Sequence, residues 1–113
     1  MIVVEAALRL NDPGRRDSLV LESVPIQQAT RDDEDGCLVY CFAADPVHPD
    51  LIQVYELWTD DDSLQRHFAH PNYTAMRELL NGAGLASAVS RKLRTDVESP
   101  VYADGVPIVG FPA

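Results

Sequence analysis

Ile2, Val4, Ala6, Leu8 and Leu10 alternate with Val3, Glu5, Ala7 and Arg9, and this period of two predicts a half-buried first strand. Asn11 or Asp12 then offers a capping side chain, with Pro13 at a first-turn position where its missing N–H costs nothing. The helix that follows carries Leu19, Val20, Ser23, Val24 and Ile26 as its stripe. Pro25 removes a hydrogen bond and crowds the preceding turn, which predicts a kink or restart before Ala29 and Thr30 and an end near Asp32. Asp32, Asp33, Glu34 and Asp35, closed by Gly36, read as a solvated turn because adjacent like charges belong in water. From Cys37 to Ala44, Leu38, Tyr40 and Phe42 face one way and Cys37, Val39, Cys41 and Ala43 the other, so this strand is apolar on both sides. A connection with Pro46 and Pro49 leads to a third strand, Leu51 to Trp58, with Ile52, Val54, Glu56 and Trp58 on one side, and the two strands form a hairpin.

Asp60, Asp61 and Asp62 supply a cap and favourable negative charge for a short helix bearing Leu64, His67 and Phe68. Pro71 restarts it, and Tyr73, Met76, Leu79 and Leu80 keep helical spacing until Asn81, Gly82 and Gly84. Leu85 to Val97 reads as a fourth strand, with Leu85, Val89 and Leu93 separated by Ser87 and Arg91. The order β-α-β-β-α-β predicts an α+β, ferredoxin-like domain over residues 1–98: one four-stranded antiparallel sheet with helices on a single face. Residues 99–113, with Pro100, Pro107 and Pro112, form an apolar tail unsuited to a central strand and expected to pack on its own or a partner subunit. Helices cover one face only, so the apolar second face of the hairpin strand predicts a homodimer.

The 113 residues, 46% hydrophobic and 24% charged, fit one globular domain. A net charge of −9 disfavours nucleic acid and anionic membrane surfaces as partners. No basic region followed by a long hydrophobic stretch opens the chain and no run of about 18 apolar residues occurs, so no membrane association is expected and the cytoplasm is the expected location. Cys37 and Cys41, four apart on a strand, stand about 13 Å from each other at their Cα atoms, too far to pair. They read as small buried hydrophobes.

His48, His67 and His70 form no metal-ligand spacing with the cysteines, and no metal is expected. Glu56 and Trp58 share a strand face with Ile52 and Val54, which places a carboxylate and an indole in an apolar layer. His67, returning over that face, is placed to hydrogen-bond Glu56 and serve as a proton acceptor; the same pair also reads as a core contact fixing the helix on the sheet. No nucleophile elbow, phosphate loop or dinucleotide fingerprint is present.

The run Gly36-Cys37-Leu38-Val39-Tyr40, preceded by Thr30-Arg31 and followed by Asp45-Pro46, Tyr55-Glu56-x-Trp58 and Leu64-x-x-His67, resembles the antibiotic biosynthesis monooxygenase domain, with its quinol monooxygenase relatives. The resemblance covers most of the first 95 residues. It implies a ferredoxin-like dimer with facing sheets, a dimeric α/β barrel. It also implies oxidation of a small quinol or hydroxylated polycyclic aromatic by molecular oxygen, without flavin, haem or metal. On the matching positions it casts Glu56 as an orienting carboxylate, Trp58 as an aromatic pocket wall or polar donor, and His67 as the catalytic base. Two departures stand out. Asn72 occupies the place of a second histidine found in many relatives, with His70 displaced by two, and the inward positions Ala6, Ala7 and Val54 lack the asparagine that some oxygenases of the family use. These departures keep open a second reading, an isomerase or a binding protein for a small hydrophobic metabolite on the same scaffold.

Overall fold

Antiparallel pairing joins four long strands in the order β2-β3-β1-β4, where β1 is Ile2–Leu10, β2 Cys37–Ala44, β3 Leu51–Trp58 and β4 Leu85–Arg94. This comes from a computed structural model that describes residues 1–111; Pro112 and Ala113, the end of the expected tail, lie outside the described residues. The helices are α1 (Arg16–Asp33), α2 (Asp61–Phe68) and α3 (Pro71–Ala83), with a 3-10 turn at Pro13–Arg15 capped by the Asp12 side chain. Element order and sheet order together are those of the expected ferredoxin-like α+β fold.

Register decides which residues meet the helices. Ile2, Val4, Ala6 and Leu8 of β1 lie opposite Trp58, Glu56, Val54 and Ile52 of β3, and all share the helix-facing side. Ile2, Leu8, Leu10, Leu19, Tyr40, Phe42, Ile52, Val54, Trp58, Leu64, Met76 and Leu80 form the core between that side and the helices. The edge strand β2 is tied to α1 by side chains. Gln27 accepts from the Phe42 N–H at 3.0 Å and donates to the Phe42 carbonyl at 3.1 Å, and Arg31 Nε donates to the Tyr40 carbonyl at 2.7 Å. These bonds occupy backbone groups that an edge strand otherwise offers to another chain.

Four local expectations are corrected. Helix α1 runs without a break through Pro25. Pro25 and Leu21, whose carbonyl loses its partner, are both exposed, so the vacated carbonyl lies open to solvent and no restart is needed. In β2 a register shift between Cys37 and Val39 leaves Leu38 out of the ladder and 52% exposed, so Leu38 does not join Tyr40 and Phe42 inside. Strand β4 ends at Arg94 instead of Val97. A second shift, between Arg9 and Leu10, separates Leu85, beside the helix-facing layer, from Val89 and Leu93, which lie on the opposite side.

That opposite side carries Val3, Ala7, Tyr55, Leu57, Val89 and Leu93, with Val89 70% exposed. A Glu5–Arg91 ion pair at 2.8 Å crosses it. The tail contains a small hairpin of β5 (Tyr102–Ala103) and β6 (Val106–Pro107), closed by Asp104 and Gly105 and by a bond from the Ile108 N–H to the Val101 carbonyl. Its Val101, Tyr102, Val106, Val109 and Phe111 are exposed. Among the described residues no helix is long and apolar enough to cross a membrane.

Candidate functional site

Asp60 begins the chain of causes that positions His67. Its side chain accepts from the Ser63 N–H at 2.8 Å, and Ser63 Oγ returns to the Asp60 backbone N–H, a capping box that fixes the entry of α2. Leu64 and His67, three apart, then point to the same side and are both buried. Pro71 and the His70 side chain, which accepts from the Asn72 N–H at 3.0 Å, restart the chain as α3. Gly36 sits against this corner with φ +87, where a Cβ atom would come within 2.4 Å of the Ser63 Cβ. Only glycine allows the approach, which brings Glu34, two residues before Gly36, within reach of His67 on α2.

The consequence overturns the reading of the acidic run as wholly solvated. The Glu34 side chain is 5% exposed, and its carboxylate accepts from His67 Nδ1 at 2.8 Å and from Asn72 Nδ2 at 3.2 Å. Asp32, Asp33 and Asp35 remain exposed. The expected His67–Glu56 hydrogen bond does not form, because Glu34 takes the Nδ1 proton and Glu56 Oε1 accepts instead from Trp58 Nε1 at 3.0 Å. His70 Nδ1 stands 3.9 Å from the other Glu34 oxygen. No sequence spacing announces Glu34. The one available signal was that it is the only glutamate in a run of aspartates, with the extra methylene needed to reach α2.

A cavity of about 370 Å³ opens between the sheet and α3. Val4, Ala6, Val54, Met76 and Leu80 form apolar walls, Tyr40, Glu56 and His67 supply polar groups, and Arg77 and Asn81 line it one turn apart on α3. Trp58 lies behind this lining with no exposed surface, its N–H committed to Glu56 and its ring 4.6 Å from that of His67. Tyr40 and Tyr73 meet the imidazole edge-on at 5.4 and 5.5 Å. Among the described residues none bonds His67 Nε2, the second oxygen of Glu56 or the Tyr40 hydroxyl, and no side-chain nitrogen or oxygen sealed from solvent lacks a partner. Those three atoms therefore open on the cavity that their residues line.

Electrostatics follow from the burial of the titratable side chains. Burial pushes the His67 imidazole below its usual range, with Glu34 opposing the shift, so the ring is neutral near pH 7. Since the Glu34 carboxylate takes the Nδ1 proton, Nε2 carries the free lone pair. Burial raises Glu56 from 4.5 to about 7, with Glu34 adding to the rise and the Trp58 N–H opposing it. Tyr40 is raised far above its normal range, mainly by burial, and stays protonated. Cys37, also raised by burial, to about 11, keeps its thiol proton. Among the described residues no cluster of three or more His, Cys, Asp or Glu is arranged to hold a metal ion. The arrangement presents one neutral base and two groups able to donate a proton in a hydrogen bond, all toward one apolar space.

The family model for antibiotic biosynthesis monooxygenase matches residues 1–79, most of the chain and every element that builds this site except the last turn of α3 and β4. The chain belongs to the antibiotic biosynthesis monooxygenase family. Its fold is similar to that of a candidate antibiotic biosynthesis monooxygenase from Deinococcus radiodurans, with a TM-score of 0.74 at 22% identity over 91% of this chain and 100% of that one. A second candidate monooxygenase of this family, from Caulobacter crescentus, superposes with a TM-score of 0.75 at 21% identity over 84% of this chain and 89% of its own. A third structure, of an antibiotic biosynthesis monooxygenase, gives 0.72 at 23% identity over 85% and 99%. At these identities the likeness establishes a shared fold. No protein of curated function matches the chain significantly.

Proposed function

We propose that this member of the family is a cofactor-independent monooxygenase that oxidises a small quinol or hydroxylated polycyclic aromatic with molecular oxygen. The observation that carries the reading is the neutral His67, whose Nε2 opens on an apolar cavity while buried Glu34 holds Nδ1. Nε2 takes a proton from the substrate, and the anion passes one electron to oxygen. The resulting radical and superoxide combine in the apolar cavity before they separate. The peroxide anion they form takes back the proton held on Nε2, and loss of water from the resulting hydroperoxide leaves one oxygen atom in the product and the other in water, with the substrate supplying the electrons. In this scheme His67 is the base, Glu56 orients the substrate, and Trp58 holds Glu56 and backs the His67 ring.

Two copies meeting through their open sheet faces, each tail lying across the other subunit, would cover Val89, Leu93 and the exposed apolar residues of the hairpin. Such a homodimer, in the cytoplasm, is part of the proposal.

The test is oxygen uptake by metal-free and flavin-free protein against quinols, anthrones and naphthols, with His67→Ala alongside. Uptake by the wild type that His67→Ala loses at least 100-fold, with its circular dichroism intact, supports the reading; wild-type uptake at the uncatalysed rate across the panel rejects it. A second reading, a proton-transferring isomerase, is favoured by one observation: a base and a carboxyl raised to about 7 face the same cavity, while Ala6 and Val54 add no polar group for oxygen. Solvent-deuterium incorporation into a bound hydroxy-ketone without oxygen uptake would select it.

A further inference from the structure

Among the described residues the buried polar side chains divide into two sets. Outside the cavity each is satisfied: Ser23 on the Val20 carbonyl, Thr30 on the Ile26 carbonyl, Gln27 on Phe42, and Ser63 within the cap of α2. The atoms left without a protein partner, Tyr40 Oη, the free oxygen of Glu56 and His67 Nε2, all belong to residues that line one cavity. None of the three is sealed from solvent, so each keeps its bonding capacity for whatever enters the cavity, and their convergence points to an external oxygen or nitrogen as their partner.

Two of the three are paired by the sheet itself. Tyr40 on β2 lies directly opposite Glu56 on β3, so their side chains rise side by side from the cavity floor. The ring of His67 stands 5.4 Å from that of Tyr40, on the helix side of the same space. We propose that Tyr40 and Glu56 form a two-point cradle for a single carbonyl or phenolic oxygen of the substrate, conjugated with the atom whose proton His67 removes. The proposal rests on the functional reading above and narrows it to substrates that carry such an oxygen. As the proton passes to Nε2, the electron pair left behind delocalises onto the cradled oxygen, where the hydroxyl of Tyr40 and the protonated form of Glu56 stabilise the developing charge. Tyr40 suits the task because burial keeps its proton in place. Its ring also packs on Phe42, with centroids 5.1 Å apart, so the hydroxyl is held by a well-packed side chain rather than a mobile one.

The experiment compares binding of 1-tetralone with that of tetralin, the same bicycle without the carbonyl, to wild type and Tyr40→Phe by titration calorimetry. The titrations are run under nitrogen, so the result is independent of oxygen chemistry. The wild type is expected to prefer tetralone by about tenfold beyond the preference set by the solubilities of the two probes, the worth of one to two hydrogen bonds. Tyr40→Phe is expected to lose most of that margin while binding tetralin as before. The carbonyl stretch of bound tetralone, read by infrared difference spectroscopy, should lie below its value in hexane for the wild type and move back toward it in Tyr40→Phe. Because the hydroxyl bonds no protein group, the phenylalanine variant should keep the wild-type thermal midpoint, a check made on the same samples. An unchanged margin in Tyr40→Phe, or no margin in the wild type, overturns the cradle. Oxygen uptake on the quinol panel, run separately, decides the oxygenase reading whichever way the cradle falls.

Discussion

Glu56→Gln removes the one carboxyl group raised by burial on the cavity floor, and its effect on stability should reverse with pH. In the folded protein Glu56 holds its proton up to about 7, whereas in the unfolded chain it releases it near 4.5. Between those values the folded state binds a proton that the unfolded state lacks, so the Glu56 contribution falls as pH rises through the window. The interval of about 2.5 pH units, at about 1.36 kcal/mol each, amounts to roughly 3 kcal/mol lost by the wild type on the alkaline side. Glutamine does not titrate, and its amide oxygen still accepts from Trp58 Nε1, so the variant escapes that loss. Urea unfolding of both proteins at about pH 5, 7 and 8.5 isolates the effect, because every other titrating group cancels in the difference to first order. The variant should gain roughly 2–3 kcal/mol on the wild type between the first and last pH. A difference that stays flat to within about 0.5 kcal/mol would refute the claim that Glu56 is desolvated in the folded state.

Three further outcomes are expected. Gly36→Ala places a side chain in a positive-φ position and against Ser63, and should cost about 2–4 kcal/mol in urea unfolding while lowering turnover, because α2 must shift. Glu34→Gln weakens the hold on His67 Nδ1 and removes the charge that props up the imidazole pKa; turnover should fall roughly tenfold and the acid limb of its pH profile should move to lower pH, since the ring now gives up its proton more readily. Val89→Arg, on the open sheet face, should convert a dimer to a monomer in sedimentation while leaving the circular dichroism unchanged; a wild type that sediments as a monomer at every concentration removes the dimer from the proposal.

The parts legible in the sequence are those set by local periodicity. A strand's period of two identified the inward set Ile52, Val54, Glu56 and Trp58, and the spacing of Leu64 and His67 put both on the buried side of α2. Expectations failed where a single residue changed register or where contacts came from far along the chain. The shift after Cys37 expelled Leu38, and the one after Arg9 parted Leu85 from Val89, because an extra residue reverses the side to which the strand points. Pro25 misled because the penalty for a helix proline depends on whether water reaches the vacated carbonyl, which only the packed structure decides. Glu34 was hidden most completely: it meets His67 across 33 positions of sequence, and nothing in an acidic turn reveals which of its four members a later helix will cover. The cavity was partly legible through Glu56 and His67, but the role of Tyr40 was not, because on the sequence it is one apolar position among several on a strand, and only its register opposite Glu56 sets its hydroxyl there.

The partition of the acidic run between water and interior also shapes how the gene tolerates change. Asp32, Asp33 and Asp35 are exposed, and a saturation library should accept nearly any polar residue at those codons. The glutamate among them should admit almost nothing: a shorter aspartate misses the imidazole, and an apolar residue strands both His67 Nδ1 and Asn72 Nδ2. The end of α1 and the turn after it would then show one forbidding column between permissive neighbours, and a random-mutagenesis screen scored only on loss of activity would find the site from the side that faces solvent.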